Sequence, residues 1–259
     1  MATDSGRYVP MSLPRKWICD VMNLASRVPT VAASRTLRVR ALVGARKEAK
    51  LTISWSALVI KAMALVSMRQ PELRWAYMPY PWPHFYEAPY SVVTLVVERE
   101  YFGENAVFFA TMLHPERLSL AAIQTKLDAY RSAPIESIGP FRRLIRNTRL
   151  PRPIRRFLLK FGMFGSGLLR ARMFGTCSVN TGAFLRTSMV QTSIPITSGL
   201  FYDGVNRDGE MLAQLAFDHR VMDGCSAARA LGALESVLNG EILAELRESS
   251  GHQGLRAAA

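Results

Sequence analysis

Residues 215–231 read LAFDHRVMDGCSAARAL, and the rest of the chain is understood from this stretch outward. Its first residues close a strand-like run from Glu210 to Phe217. Its last residues open a helix from Ser226 to Leu238 that places Ala227, Leu231, Leu234 and Leu238 on one side. His219 therefore stands where a strand ends, just before a helix, a junction that can hold an imidazole rigidly while the chain turns away. Gly224 is available for the turn. Asp223, four residues after His219, shares the tight segment and can orient the loop or bind an arginine. A neutral imidazole in such a place can act as a general base or be purely structural, and the spacing alone leaves both open. No second histidine or suitably spaced carboxylate completes a metal site around it, so no metal is expected. His84, His114 and His252 are expected to have no partner nearby.

Around this centre, 259 residues that are 49% hydrophobic and 20% charged suffice for a sizeable core, which excludes wholesale disorder. No apolar run approaches the roughly 18 to 20 residues of a membrane-spanning helix, and the opening MATDSGRYVP has no apolar signal-peptide core. A cytoplasmic protein is expected. Cys19, Cys177 and Cys225 are odd in number and in no CxxC spacing, so free, mostly buried thiols are expected instead of a disulfide framework or zinc site. Lys and Arg number 33 against 20 Asp and Glu, a formal charge of +13. The excess is concentrated. From Ser137 to Tyr202 there is no acidic residue, while Arg142, Arg143, Arg146, Arg149, Arg152, Arg155, Arg156, Lys160, Arg170, Arg172 and Arg186 contribute eleven positive charges. Such a block fits a solvated basic face, or a polyanionic partner: nucleic acid, an anionic membrane surface, or a phosphorylated cofactor or carrier.

No repeat, glycine-serine linker or low-complexity tract divides the chain, so one domain is expected over 9–248, with disordered ends at 1–8 and 249–259. Further helices are predicted over Pro14–Ala25, over the nearly all-apolar Ser54–Met68, and over Ser119–Tyr130. Strands are predicted at Tyr90–Val97, Ala106–Met112, Gly175–Asn180 and Met189–Ile196, where β-branched and aromatic residues gather. Mixed strands with helices around them argue α/β or α+β with a mixed sheet.

Several segments together resemble a known family. DHRVMDG with CSAARALGALESVL is similar to the C-terminal signature of the acyltransferase catalytic domain of 2-oxoacid dehydrogenase complexes, and to the signature of chloramphenicol acetyltransferase. VPMSLPRKWICDVMNLASRVPTV resembles the family's opening, ISWSALVIKAMALVSMRQPELRWAY its buried helix and Pro-Glu-Leu segment, and FGTCSVNTG the strand before its active-site hydroxyl. The resemblance covers about residues 9–240. It implies a chloramphenicol acetyltransferase-like two-layer sandwich with a mixed β-sheet. It also implies direct acyl transfer between a thioester and a thiol, hydroxyl or amine acceptor, with His219 as general base. Asp223 then has a structural role, paired with an arginine of the opening helix at the position of Arg15. A homotrimer, or an assembly of trimers, is implied because the family's catalytic channel lies between subunits.

Two departures bear on the chemistry. Where the family reads Ser-Asn-Leu-Gly, this chain has Asn180, Thr181 and Gly182, one residue short. Thr181 is the first candidate for the oxyanion donor, Asn180 the second and Ser178 the third. The family's Gly-Leu-x-x-Pro-Val strand is replaced by ENAVFFATMLH, and no upstream lipoyl-bearing domain is expected. A catalytic domain alone is expected, with no covalently bound lipoyl group, acting on coenzyme A thioesters or on an acyl group held by a separate carrier. Other readings are an inactive acyltransferase-like binding or scaffolding protein, and a basic protein of membrane surfaces or nucleic acid. Nucleic acid is disfavoured because the basic block has no recognisable nucleic-acid motif. Its Phe141, Leu144, Ile145, Ile154, Phe157, Leu158 and Leu159 read equally as the buried side of a helix. The variant preferred among basic-surface readings is an amphipathic helix over Ile154–Leu169 lying on a membrane, with Lys160, Phe161, Met163 and Phe164 at the lipid, which would make the protein peripheral to the membrane.

Overall fold

The computed structural model describes residues 6–48, 52–181 and 194–248. The expected disorder at 249–259, and at most of 1–8, lies outside these residues, as does most of the strand expected at Met189–Ile196. Helix α1 (Leu13–Ala25) starts where the Ser12 hydroxyl accepts from the Arg15 amide at 3.3 Å, with Pro14 in the first turn. Strand β1 (Thr30–Arg38) and helix α2 (Arg40–Glu48) follow. Helix α3 (Trp55–Arg69) is capped by Ser54 in the same way and is apolar nearly all round, so it is buried on several sides. A hairpin, β2 (Trp75–Met78) with β3 (His84–Glu87), leads to the long antiparallel pair β4 (Val92–Tyr101) and β5 (Glu104–Leu113). Then come four helices, α4 (Leu120–Ser132), α5 (Gly139–Thr148), α6 (Arg152–Phe164) and α7 (Gly167–Phe174). Strands β6 (Cys177–Thr181), β7 (Ser198–Tyr202) and β8 (Glu210–Asp218) and helix α8 (Gly224–Val237) complete the order.

Six strands form one sheet in the order β1-β8-β7-β6-β4-β5. Strand β6 runs parallel to β4 and β7, and every other pairing is antiparallel, which is the mixed sheet expected. The register sorts side chains into two faces. Val93, Cys177, Val179, Leu200, Leu215 and Phe217 share the face packed by α3, α4 and α8. Thr94, Val96, Ser178, Asn180 and Phe201 share the other, where α1 and α7 cover the β4–β5–β6 half. Helix α5 closes the β5 edge, with Phe141 4.9 Å from Phe108 between ring centroids.

The basic block is built differently from the expected single surface helix over 154–169. It breaks at Gly165 into α6 and α7, and the Ser166 hydroxyl caps the second. Gly162 brings the two helices together, since a Cβ there would lie 2.8 Å from the Met173 sulfur. Met163, expected at a lipid surface, is buried instead. Four of the block's cations bond other parts of the fold, among them Arg156, which donates to the Asp20 carboxylate at 3.2 Å. Arg155 is buried and bonds the Asp20 carboxylate of α1 and the Thr148 and Leu150 carbonyls. Arg170 is buried and donates to the Tyr77 carbonyl at 2.7 Å. Arg172 donates to the Tyr90 hydroxyl at 3.0 Å. The thiols also differ from expectation: Cys177 is buried, but Cys19 and Cys225 are exposed, because they fall on the solvent sides of α1 and α8.

Candidate active site

Strand β8 delivers the turn that carries His219. Asp218, fully buried, donates its amide to the Thr197 carbonyl at 2.8 Å, and its own carbonyl accepts from Val221 and Met222. Its carboxylate accepts from the Arg220 amide and from Nε and Nη2 of the same side chain at 2.7–3.0 Å. The Arg220 guanidinium lies 4.3 Å from the centroid of the Tyr77 ring. Arg170 reaches the same place from α7; burial lowers its pKa to about 10, and the Asp218 carboxylate opposes that fall. This Asp218–Arg220–Tyr77–Arg170 support was not singled out in the sequence, although DHR already held a carboxylate and a cation two residues apart.

Within the turn the His219 amide donates to the Pro29 carbonyl at 2.9 Å, and its ring stands edge-on to Phe217 at 5.8 Å. Nδ1 lies 3.1 Å from the Met222 carbonyl. A carbonyl oxygen only accepts, so Nδ1 carries the proton and Nε2 keeps its lone pair. The fold thus holds the imidazole in the tautomer that a base requires.

Within one chain Asp223 and Arg15 are not paired, contrary to expectation. The Asp223 carboxylate accepts from the Ser226 amide at 2.7 Å as the N-cap of α8, and this bond, more than the nearby Arg229, lowers its pKa. Arg15 instead faces Glu104 at 3.8 Å in an exposed contact. The buried ion pair of the opening helix is made by Asp20, which takes both Arg155 and Arg156. Gly224 has a negative φ and open space around it, so the turn rests on the Asp218 carbonyl and does not require glycine. His114, expected to be without a partner, lies 3.5 Å from the Glu116 carboxylate and 4.0 Å from the Tyr90 ring.

The donor candidates lie elsewhere. Strand alternation puts Ser178 and Asn180 on the α1 side of β6, where the Asn180 amide donates to the Ser178 hydroxyl at 3.3 Å. The amide oxygen of Asn180 is buried with no hydrogen bond among the described residues. Thr181 takes the opposite face, with its side chain bonded to the Tyr202 hydroxyl, itself 2.9 Å from Ser56. Burial raises the Tyr202 pKa. Asn180, Ser178 and Thr181 all line a cavity of about 470 Å³, within the range of small-molecule sites. Its floor is Thr94, Val96, Val107, Phe109 and Phe201, and Trp17, Ile18, Val21 and Met22 of α1 form its wall.

His219 does not reach this cavity within one chain. Asn180 is level with Phe201 and Gln214 across the sheet, five residues up β8 from His219. At about 3.4 Å per residue that is roughly 17 Å along the strand, with two strand spacings across. A base must come within hydrogen-bond reach of the proton it takes, and within one chain His219 is not within that reach of anything bound in the cavity.

The six-stranded mixed sheet, with β6 parallel to both neighbours, has the fold of the catalytic cores of 2-oxoacid dehydrogenase complexes. A truncated catalytic core of the complex from Thermoplasma acidophilum superposes with a TM-score of 0.66 at 16% identity, over 91% of this chain and 99% of that one. A probable dihydrolipoamide acetyltransferase from Listeria monocytogenes gives 0.60 at 18% identity, over 90% and 94%. The Azotobacter vinelandii dihydrolipoamide acetyltransferase gives 0.62 at 16%, over 92% and 94%. By sequence, neither a family model nor a curated protein matches the chain.

Proposed function

We propose that the chain is an acyltransferase that moves an acyl group between a thioester, on coenzyme A or on a carrier, and a thiol, hydroxyl or amine acceptor. The observation that carries this reading is the tautomer lock, Nδ1 of His219 on the Met222 carbonyl, which presents Nε2 as a proton acceptor at the rim of the sheet. In the forward step Nε2 takes the proton of the acceptor as its heteroatom attacks the thioester carbonyl. The tetrahedral oxyanion accepts a hydrogen bond from a preorganised donor. Collapse expels the thiolate, which recovers the proton from the imidazolium. In the Azotobacter vinelandii enzyme the residues studied for their catalytic roles are a serine, a histidine and, four residues on, an asparagine. His219 and Asp223 have that spacing here.

Asn180 and Thr181 both line the cavity; Asn180 is taken first for the donor because the Thr181 side chain is already bonded to the Tyr202 hydroxyl. The cavity's apolar walls suit the apolar part of an acyl group or acceptor. Separation of His219 from Asn180 supports a homotrimer or trimer-based assembly, in which the histidine of one copy serves the cavity of the next. The charge of +13 suits the phosphates of coenzyme A or an acidic carrier.

The protein should be incubated with acyl-CoA thioesters and thiol, amine and alcohol acceptors, and product masses recorded. Transfer is expected, with His219→Ala slower by about 10² to 10⁴-fold and Asn180→Ala by about 10² to 10³-fold. Transfer by His219→Ala at the wild-type rate would overturn the reading in favour of a binding or scaffolding protein.

A further inference from the structure

Four large apolar side chains of α6 project into solvent: Ile154 is 50% exposed, Phe157 67%, Leu158 38% and Phe161 55%. Their spacing of three and four residues lines them up as one stripe along the helix, and the Phe157 and Phe161 rings lie nearly parallel, 6.4 Å apart. The helix cannot roll to hide them. Arg155, Leu159, Gly162 and Met163 hold its opposite face, with Arg155 and Arg156 both on Asp20. Beside the stripe, Arg152 and Lys160 stand in line, eight residues apart, on either side of Arg156, whose charge is met by Asp20. Arg142, Arg143 and Arg146 of α5 and Arg149 after it are exposed, and no carboxylate lies anywhere in α5, α6 or α7.

We propose that α6 docks this chain on the surface of an anionic lipid bilayer, its apolar stripe entering the boundary between head groups and acyl chains. The cations then remain at the level of the lipid phosphates. Both halves of the pattern are used: fully burying a large apolar side chain is worth about tenfold or more in affinity, and each cation near an anionic surface about fivefold. A second copy of the same face would bring cations against cations, with no acid among these helices to pair them. A nucleic-acid backbone would meet the cations but leave Ile154 and Leu158 uncovered. No described helix is long and apolar enough to cross a membrane, so this contact is peripheral.

The test uses the full chain with vesicles of phosphatidylcholine alone and with about a third phosphatidylglycerol, at low and high salt. Flotation with the anionic vesicles is expected, weakening as salt rises. Phe157→Ser with Phe161→Ser should weaken it at least tenfold, as should Arg152→Gln with Lys160→Gln, both without change in melting temperature. Phe157→Trp should show a blue-shifted emission that brominated lipid quenches. Three results would overturn the proposal: no binding to anionic vesicles, binding indifferent to the phenylalanines, or an emission from the Phe157→Trp variant that brominated lipid leaves unquenched. A serine double variant that dissociates the native oligomer would reassign the stripe to contact between copies. Duplex DNA binding with the same dependence on the phenylalanines would reassign it to nucleic acid.

Discussion

His219 shows how little separates a structural histidine from a base. The same ring with Nε2 on a carbonyl would turn its lone pair back to Nδ1; with Nδ1 on Met222 the lone pair is at Nε2, the outer nitrogen. The sequence carried the residue and its place at a strand end, but not the tautomer, which depends on where the Met222 carbonyl points after the turn closes. The difference between Asn180 and Thr181 likewise depends on the register of β6 against β7, which sets Thr181 beside Tyr202 and engages its side chain there. Cys177 gives a prediction at this scale. Burial pushes its thiol from 9.0 up to about 12. At pH 8 a thiol reagent should therefore modify the exposed Cys19 and Cys225 in the native protein, and Cys177 only after denaturation. Below pH 9 the thiol is neutral in both states and has no effect on the pH dependence of folding. Above it the unfolded thiol ionises while the folded one does not, so the native state loses stability as pH rises from about 9 towards 12. Three equally reactive native thiols at pH 8 would contradict this placement of Cys177.

At the scale of elements, what was legible followed local periodicity. The apolar Ser54–Met68 run and the β-branched runs around Val92 and Ala106 have one strong pattern each, and the observed elements depart from them by a few residues. Less legible were β1, whose residues are largely half-buried or exposed, and the break between α6 and α7, which depends on the contact at Gly162. The apolar residues of the basic block divide in a way no period announces: Phe141, Leu144 and Leu159 are buried, while Ile154, Phe157 and Leu158 are exposed. The Asp20–Arg155 pair decides that division by anchoring α6 to α1, and it lies 135 residues apart in sequence. Both side chains are buried, so removing one charge strands the other, at a cost of about 3–5 kcal/mol. Asp20→Asn should lower the melting temperature by on the order of 10 °C in a domain of this size. Replacing both residues by leucine should recover much of that loss, as a stranded charge predicts. An unchanged melting temperature in Asp20→Asn would mean that the pair does not hold α6.

At the scale of the whole molecule, the sheet holds His219 and Asn180 roughly 17 Å apart along β8, and no side-chain rotation closes such a distance. On the proposed reading, each site takes His219 from one copy and Asn180 from its neighbour. This has a consequence that a single-chain site could not produce. His219→Ala copies lack the base but keep the donor, and Asn180→Ala copies keep the base but lack the donor. Neither variant alone forms an intact site. In a closed ring of three mixed from both kinds, one boundary joins an intact base to an intact donor. With random equal mixing, three quarters of the rings are mixed, so about a quarter of all sites should be restored. The experiment is to unfold the two variants together, refold them, and compare transfer with that of each variant refolded alone. Recovery should peak near equal proportions and vanish at either extreme. Activity that stays at the mean of the two variants at every mixing ratio, in rings shown by native mass to contain both, would mean that base and donor work within one chain, through a conformation in which β8 and β6 are not arranged as described.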